Sequence, residues 1–185
     1  MQLSPGQNVD LPEDEVAILI DRPGAGHVIH AILIDAAGRA LSPGRTVFYG
    51  NGSASGIRAR NLAQGDPEIV VTLSRLPDAA SKVLVVLSVH AGSMAALGQG
   101  RLSLRSGADE HRFELSFAGF SERSLILGEI YRRGEGFRFR ALAQGFMRGI
   151  EALNETYGAG LETAAPIMLP EPARAAREPS HNQGD

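Results

Sequence analysis

The side chains best placed to do chemistry in this chain are its arginines, its histidines and scattered carboxylates, because it contains no cysteine. That absence excludes a disulfide framework, thiol catalysis, zinc–cysteine sites and iron–sulfur clusters. Arg132, Arg133, Arg138 and Arg140 crowd one short stretch, with Arg148 just beyond, and form the visible concentration of positive charge. On a strand, residues two apart share a face, so Arg138 and Arg140 point one way and Phe137 and Phe139 the other. The phenylalanines are then better used in a core than for stacking bases, so single-stranded nucleic-acid binding is only weakly supported. A solvated or oligomer-pairing strand face is the plainer use of these arginines, and contact with an anion or phosphorylated ligand is the alternative.

The other constellations are weaker. Ser88 and His90 lie two apart on one strand face, but no Gly-x-Ser-x-Gly elbow is present, and nucleophilic catalysis needs an orienting third group. His27 and His30 have the spacing of a metal-binding pair on a helix or loop, yet three residues along a strand they face opposite sides. The run Gly50-Asn51-Gly52-Ser53-Ala54-Ser55-Gly56 resembles a phosphate-cradling loop but lacks the Lys-Ser/Thr of a P-loop and its strand-to-helix setting. No enzyme is predicted.

Positioning these groups falls to short aliphatic segments punctuated by Gly, Pro, Asp and Ser, the pattern of strands. About nine are readable. They begin with 15–21, 28–35 and 46–49, and continue with 68–74 and 82–90. Within the last, Val83-Leu84-Val85-Val86-Leu87 offers apolar side chains to both faces, as a central strand must. Segments 101–105 and 111–117 follow, the latter alternating Arg112, Glu114 and Ser116 with Phe113, Leu115 and Phe117. Segments 124–132 and 137–144 flank Gly134-Glu135-Gly136, read as a three-residue hairpin connection. The stretch 50–67 reads as a long loop with one short strand near Ile57, a place to look for function. Phe146, Ile150, Leu153 and Tyr157 then change the period to that of an amphipathic helix, and Gly158 stops it. Repeated helical crossovers are missing, so a parallel α/β sheet is disfavoured. The prediction is an all-β fold, a β-sandwich of two mainly antiparallel sheets with one C-terminal amphipathic helix and few short helices. It occupies residues 1–161, and the proline-rich 162–185 is expected to be a largely mobile tail.

Composition agrees with one domain: 185 residues, 43% of them hydrophobic, with no tryptophan. The net charge of -3, from 18 basic and 21 acidic residues, supplies no global field toward nucleic acid or anionic lipid. No apolar run approaches the roughly 20 residues of a membrane helix, and the first residues lack a signal-peptide pattern, so a soluble, cytoplasmic protein is expected.

Several blocks together resemble the TerD-type tellurium-resistance and stress-protein family. They are Leu3-Ser4-Pro5-Gly6-Gln7-Asn8-Val9-Asp10-Leu11, Phe48-Tyr49-Gly50-Asn51, Leu73-Ser74-Arg75-Leu76-Pro77 and, most specifically, Leu127-Gly128-Glu129-Ile130-Tyr131-Arg132-Arg133 followed by Phe137-Arg138-Phe139-Arg140-Ala141-Leu142-Ala143-Gln144-Gly145-Phe146. The order and spacing agree from about residue 3 to 160. The resemblance implies a bacterial cytoplasmic β-sandwich associated with tellurite and chemical stress, commonly calcium-binding and without an established enzymatic activity.

Calcium is where this chain departs from that pattern. The family's usual Asp-x-Asp-x-Ser run is matched here by Gly26, Val28 and His30, its second acidic loop shrinks to Gly65-Asp66-Pro67-Glu68, and Ala91 stands where an aspartate often follows the histidine. Asp21, Asp35, Asp66 and Glu68 are the surviving candidate ligands, of which Asp35 has the look of an ordinary turn residue. Calcium takes about six to eight oxygen ligands, so weak or absent binding is expected and no other cofactor is implied. The expected function is a non-enzymatic stress-response binding or scaffold module acting through protein partners or self-association. The alternatives are a functional calcium binder with ligands from backbone carbonyls and Asn51, Asn61 or Asp66, and an anion-binding domain built on the arginine-rich hairpin.

Overall fold

The computed structural model describes residues 1–21, 26–41, 46–47, 53–61 and 66–161. Thirteen strands are found among them: β1 (Gln2–Leu3), β2 (Asn8–Leu11), β3 (Glu15–Asp21), β4 (His27–Ile34), β5 (Thr46–Val47), β6 (Ser53–Ala54), β7 (Ile57–Arg60), β8 (Glu68–Thr72), β9 (Lys82–Val89), β10 (Gln99–Ser106), β11 (Asp109–Ser116), β12 (Ser124–Arg133) and β13 (Gly136–Phe146). One α-helix, α1 (Ile150–Tyr157), follows them. A seven-stranded sheet has the order β1-β11-β10-β3-β8-β7-β6, and a six-stranded sheet the order β2-β13-β12-β9-β4-β5. Only the β1–β11 pair among these is parallel. The predicted two-sheet sandwich with a C-terminal helix is the observed architecture.

Side-chain alternation explains the layers. Val83, Val85 and Leu87 of β9 enter the large aliphatic core between the sheets, together with Ile29, Ala31 and Leu33 of β4. The intervening Leu84 and Val86, with Ile32, Ile34 and Ile126, form a second cluster on the outer side of the six-stranded sheet, covered by Leu153, Ala159 and Leu161. Strand β9, read as central from its uninterrupted apolar run, is therefore buried on both faces.

Three sequence expectations need correction. The helix does not begin at Phe146, which is still paired with Ser124 as the last residue of β13. Gly149, at φ 62°, breaks the backbone between strand and helix. Phe146 nevertheless packs against the same cluster and meets Tyr157 edge-on at 6.4 Å between ring centroids, which is why the four apolar residues look like one stripe.

Within 50–67, residues 53–60 are a hairpin of β6 and β7, and β7 pairs with β8. Ile57 is buried in the main core, and Gly56 takes φ 77° where a Cβ would come within 2.9 Å of the Arg75 backbone. The short strand expected near Ile57 is present as β7, and Gly56 marks the tight turn that joins it to β6, a second strand the sequence reading lacked. Finally, Arg133 pairs with Gly136, so the connection between β12 and β13 is the two residues Gly134 and Glu135. The hairpin itself is as read.

Candidate functional site

The arginine-bearing hairpin is carried by β12 and β13, and a register shift between Ile126 and Gly128 sets which side chains it shows. Before the shift Leu125 and Leu127 enter the main core, and after it Ile130 does. The bulge thus changes parity and leaves Glu129 and Tyr131 on the outer face. Arg138 and Arg140 share that face, while Phe139 is fully buried in the core opposite and Phe137 packs against it.

The four arginines do not form one patch. Arg138 Nε donates to Asp10 Oδ1 at 2.5 Å and its Nη1 to Asn8 Oδ1 at 3.0 Å, both across the β13–β2 pair. That hydrogen bond, with the charge of Asp10, raises the Arg138 pKa. Arg140 Nη1 lies 3.4 Å from Glu129 Oε1, and its guanidinium sits 4.9 Å over the Tyr131 ring. Glu129, with a side chain 10% exposed, also accepts from Lys82 Nζ at 3.3 Å, so one carboxylate is held between two cations. Arg132 turns away: it donates to the Ala80 and Pro77 carbonyls, at 2.9 and 3.4 Å, and stacks on Phe137. Arg133 is exposed beside the turn.

Acids that the linear sequence does not place beside them therefore pair with Arg138 and Arg140. Asp10 is 128 residues away from Arg138, and Glu129 reaches Arg140 only because the bulge turns it outward. Asn8, Asp10, Glu129 and Lys82 were the members of this network that sequence reasoning missed; the alternation of Val9 and Leu11 with Asn8 and Asp10 was the available signal for β2. Asn51 lies outside the described residues.

The candidate metal ligands fare differently. Asp35 Oδ1 accepts from the Ala37 and Arg39 backbone N–H groups, both at 2.9 Å, closing its own turn as expected. It follows β4, so about eight residues of extended chain, roughly 26 Å, separate it from the end where β4 begins and β3 ends. Asp21 lies near that latter end, 3.8 Å from Arg101 Nη1. Glu68 is ion-paired with Arg60. The Asp66 carbonyl accepts from Asn61 Nδ2 at 3.3 Å. Among the described residues no three His, Asp or Glu side chains come together as a metal site. The described carboxylates, by themselves, do not make a six- to eight-oxygen cage.

The remaining motifs resolve structurally. His27 and His30 lie on opposite faces of β4, by their parity with Ile29 and Ile32. The Ser88 hydroxyl is buried and bonded to the Ser124 hydroxyl at 2.6 Å, not to a histidine. A pocket of about 90 Å³ at the start of α1 is lined by His90, Arg123, Arg148, Gly149 and Glu151, among others. No described helix is long and apolar enough to cross a membrane.

Comparison with known proteins supplies the relation. The chain is 30% identical over 142 residues to general stress protein 16U of Bacillus subtilis, covering 68% of this chain and 74% of that protein. It is 24% identical over 144 residues to the tellurium resistance protein TerD of Serratia marcescens, covering 69% and 75%. Among solved structures, a telluride-resistance (TerD) homologue from Streptomyces coelicolor superposes with a TM-score of 0.61 at 16% identity, over 81% of this chain and 99% of that one, which speaks to the fold. A family model described as the TerD domain matches residues 1–157, and the chain belongs to the TerD family.

Proposed function

We propose that this chain is a non-enzymatic stress-response module of the TerD type, binding or scaffolding protein partners in the cytoplasm without a tightly held calcium ion. The family relation and the names of its relatives support the stress-response part. The observation that carries the calcium part is that three of the four surviving carboxylates are engaged by the chain itself. Glu68 is paired with Arg60, Asp21 faces Arg101, and Asp35 accepts two backbone N–H groups at the other end of the sandwich. A cation entering between Asp21 and Glu68 would have to displace or tolerate two guanidinium groups, and few uncommitted anionic oxygens would repay the loss of its water shell. The pairing of Arg138 with Asp10 and of Arg140 with Glu129 weighs against an anion-binding role for those two arginines.

Calorimetric titration of the full chain with calcium at physiological salt tests the reading. No dissociation constant below about 10 µM, the range of competent sensor sites, is expected. A tighter one-to-one isotherm would restore the calcium-binding alternative.

A further inference from the structure

His30 is 2% exposed, and both its ring nitrogens are buried without a hydrogen-bond partner. A neutral imidazole carries one donor and one acceptor, so leaving both unmet is costly and calls for a reason. His30 lies on the outer side of β4, in line with Ile32 and Ile34 and directly opposite Val86 of β9, all three of which belong to the cluster that Leu153 of α1 joins; its neighbour His90 lines a pocket with Ile150 and Glu151 at the start of α1.

At the near end of this face the ionisable neighbours of His30 are of mixed sign. His90, just past the end of β9, has a buried Nε2 without a partner. Arg123, at the entry to β12, donates to the His90 carbonyl at 3.0 Å. Arg148 and Glu151, from the start of α1, line the same pocket as His90, and Arg148 is itself paired with Glu155. Towards the other end of the face stand, among the described residues, Lys82 of β9, Glu129 of β12, Arg138 and Arg140 of β13, and Tyr157 of α1. His27 belongs to the opposite face. No acid is bonded to His30 to receive a proton's charge.

We propose that His30 is a proton-operated release for the α1 cover: protonation lifts residues 150–161 from the outer face of the six-stranded sheet and exposes the aliphatic surface of Ile32, Ile34, Leu84, Val86 and Ile126. The cover yields before the sandwich because it is one eight-residue helix and a short following segment, whereas the other side of β4 is the large inter-sheet core. Local opening of the less stable layer is the ordinary route by which water reaches a buried group.

The direction of the pH effect follows from burial. Desolvation first, then the nearby His90, lowers the His30 pKa from 6.5 to about 4. The open state therefore binds the proton more readily than the closed one. The closed state has its full advantage above about pH 6.5 and loses it as the pH falls towards 4.

Amide hydrogen exchange on the full chain between pH 7 and 4.5, corrected for the intrinsic pH dependence of exchange, tests this. The opening equilibrium of 150–161 is expected to rise nearly tenfold per pH unit below 6.5, approaching 100-fold at pH 4.5, while β12 does not follow. His30→Leu should flatten the response; should that variant not fold, His30→Gln, uncharged at every pH, takes its place. An undiminished slope in the variant, or parallel loss of protection in 150–161 and β12, overturns the proposal.

Discussion

Gly128 sits where the bulge in β12 meets the buried ring of Phe139: a Cβ there would lie 2.3 Å from the ring's Cζ and 2.9 Å from the Arg140 carbonyl oxygen. The ring occupies the space a side chain would need, and neither contact can relax cheaply because Phe139 is fully buried. Gly128→Ala is expected to cost about 1–3 kcal/mol, the usual penalty for overpacking, and to lower the urea midpoint with little change in the slope. An unshifted midpoint would mean that the ring moves freely. At this scale the shared face of Arg138 and Arg140 was legible, because a pleat alternates with period two. Their counter-charges were not. Asp10 arrives from a strand at the other end of the chain, and Glu129 faces outward only because one extra residue in β12 resets the alternation. A bulge leaves no reliable mark in a single sequence beyond a glycine.

Among the elements, α1 is the one whose role differs most from its appearance. Eight residues are too few for a helix to persist on its own, so its stability comes from the face it covers. Leu153 is fully buried there, and Asn154 fastens the following segment by accepting from the Leu161 N–H at 2.7 Å and donating to its carbonyl at 2.8 Å. Gly158 closes the helix at φ 67°, its N–H bonding the Asn154 carbonyl. Leu153→Ala is expected to cost about 2–5 kcal/mol, the range for a buried leucine, if the helix stays docked. Hydrogen exchange distinguishes the ways it is lost: greater opening confined to 150–161 marks undocking, whereas uniform loss of protection marks destabilisation of the whole sandwich. The 3.6-residue period identified this helix correctly but extended it back to Phe146, since a strand end and a helix can offer aromatic groups to one cluster.

At the scale of the molecule, the described fold closes at Leu161, which with Ala159 is buried against the outer cluster. A chain ending after Leu161 is expected to keep its melting temperature within about 2 °C, and one ending after Tyr157 to lose several degrees, because about 1 kcal/mol shifts a domain of this size by roughly 2–4 °C. Equal melting of both would remove residues 158–161 from the cover; a fall on cutting after Leu161 would place the domain boundary later. What the sequence determined by itself is what its periodicities encode. The aliphatic strands, the doubly buried β9, the single late helix and the family relation all follow from local patterns, since burial on one face or two is written into consecutive residues. Which charges meet was decided only by the tertiary structure. The sheet order sets Asp10 beside Arg138, the bulge sets Glu129 between Lys82 and Arg140, and the topology holds Asp35 a strand's length from Asp21 and Glu68. Electrostatic partnership depends on distances across strands that are remote in the chain, and no local spacing records them.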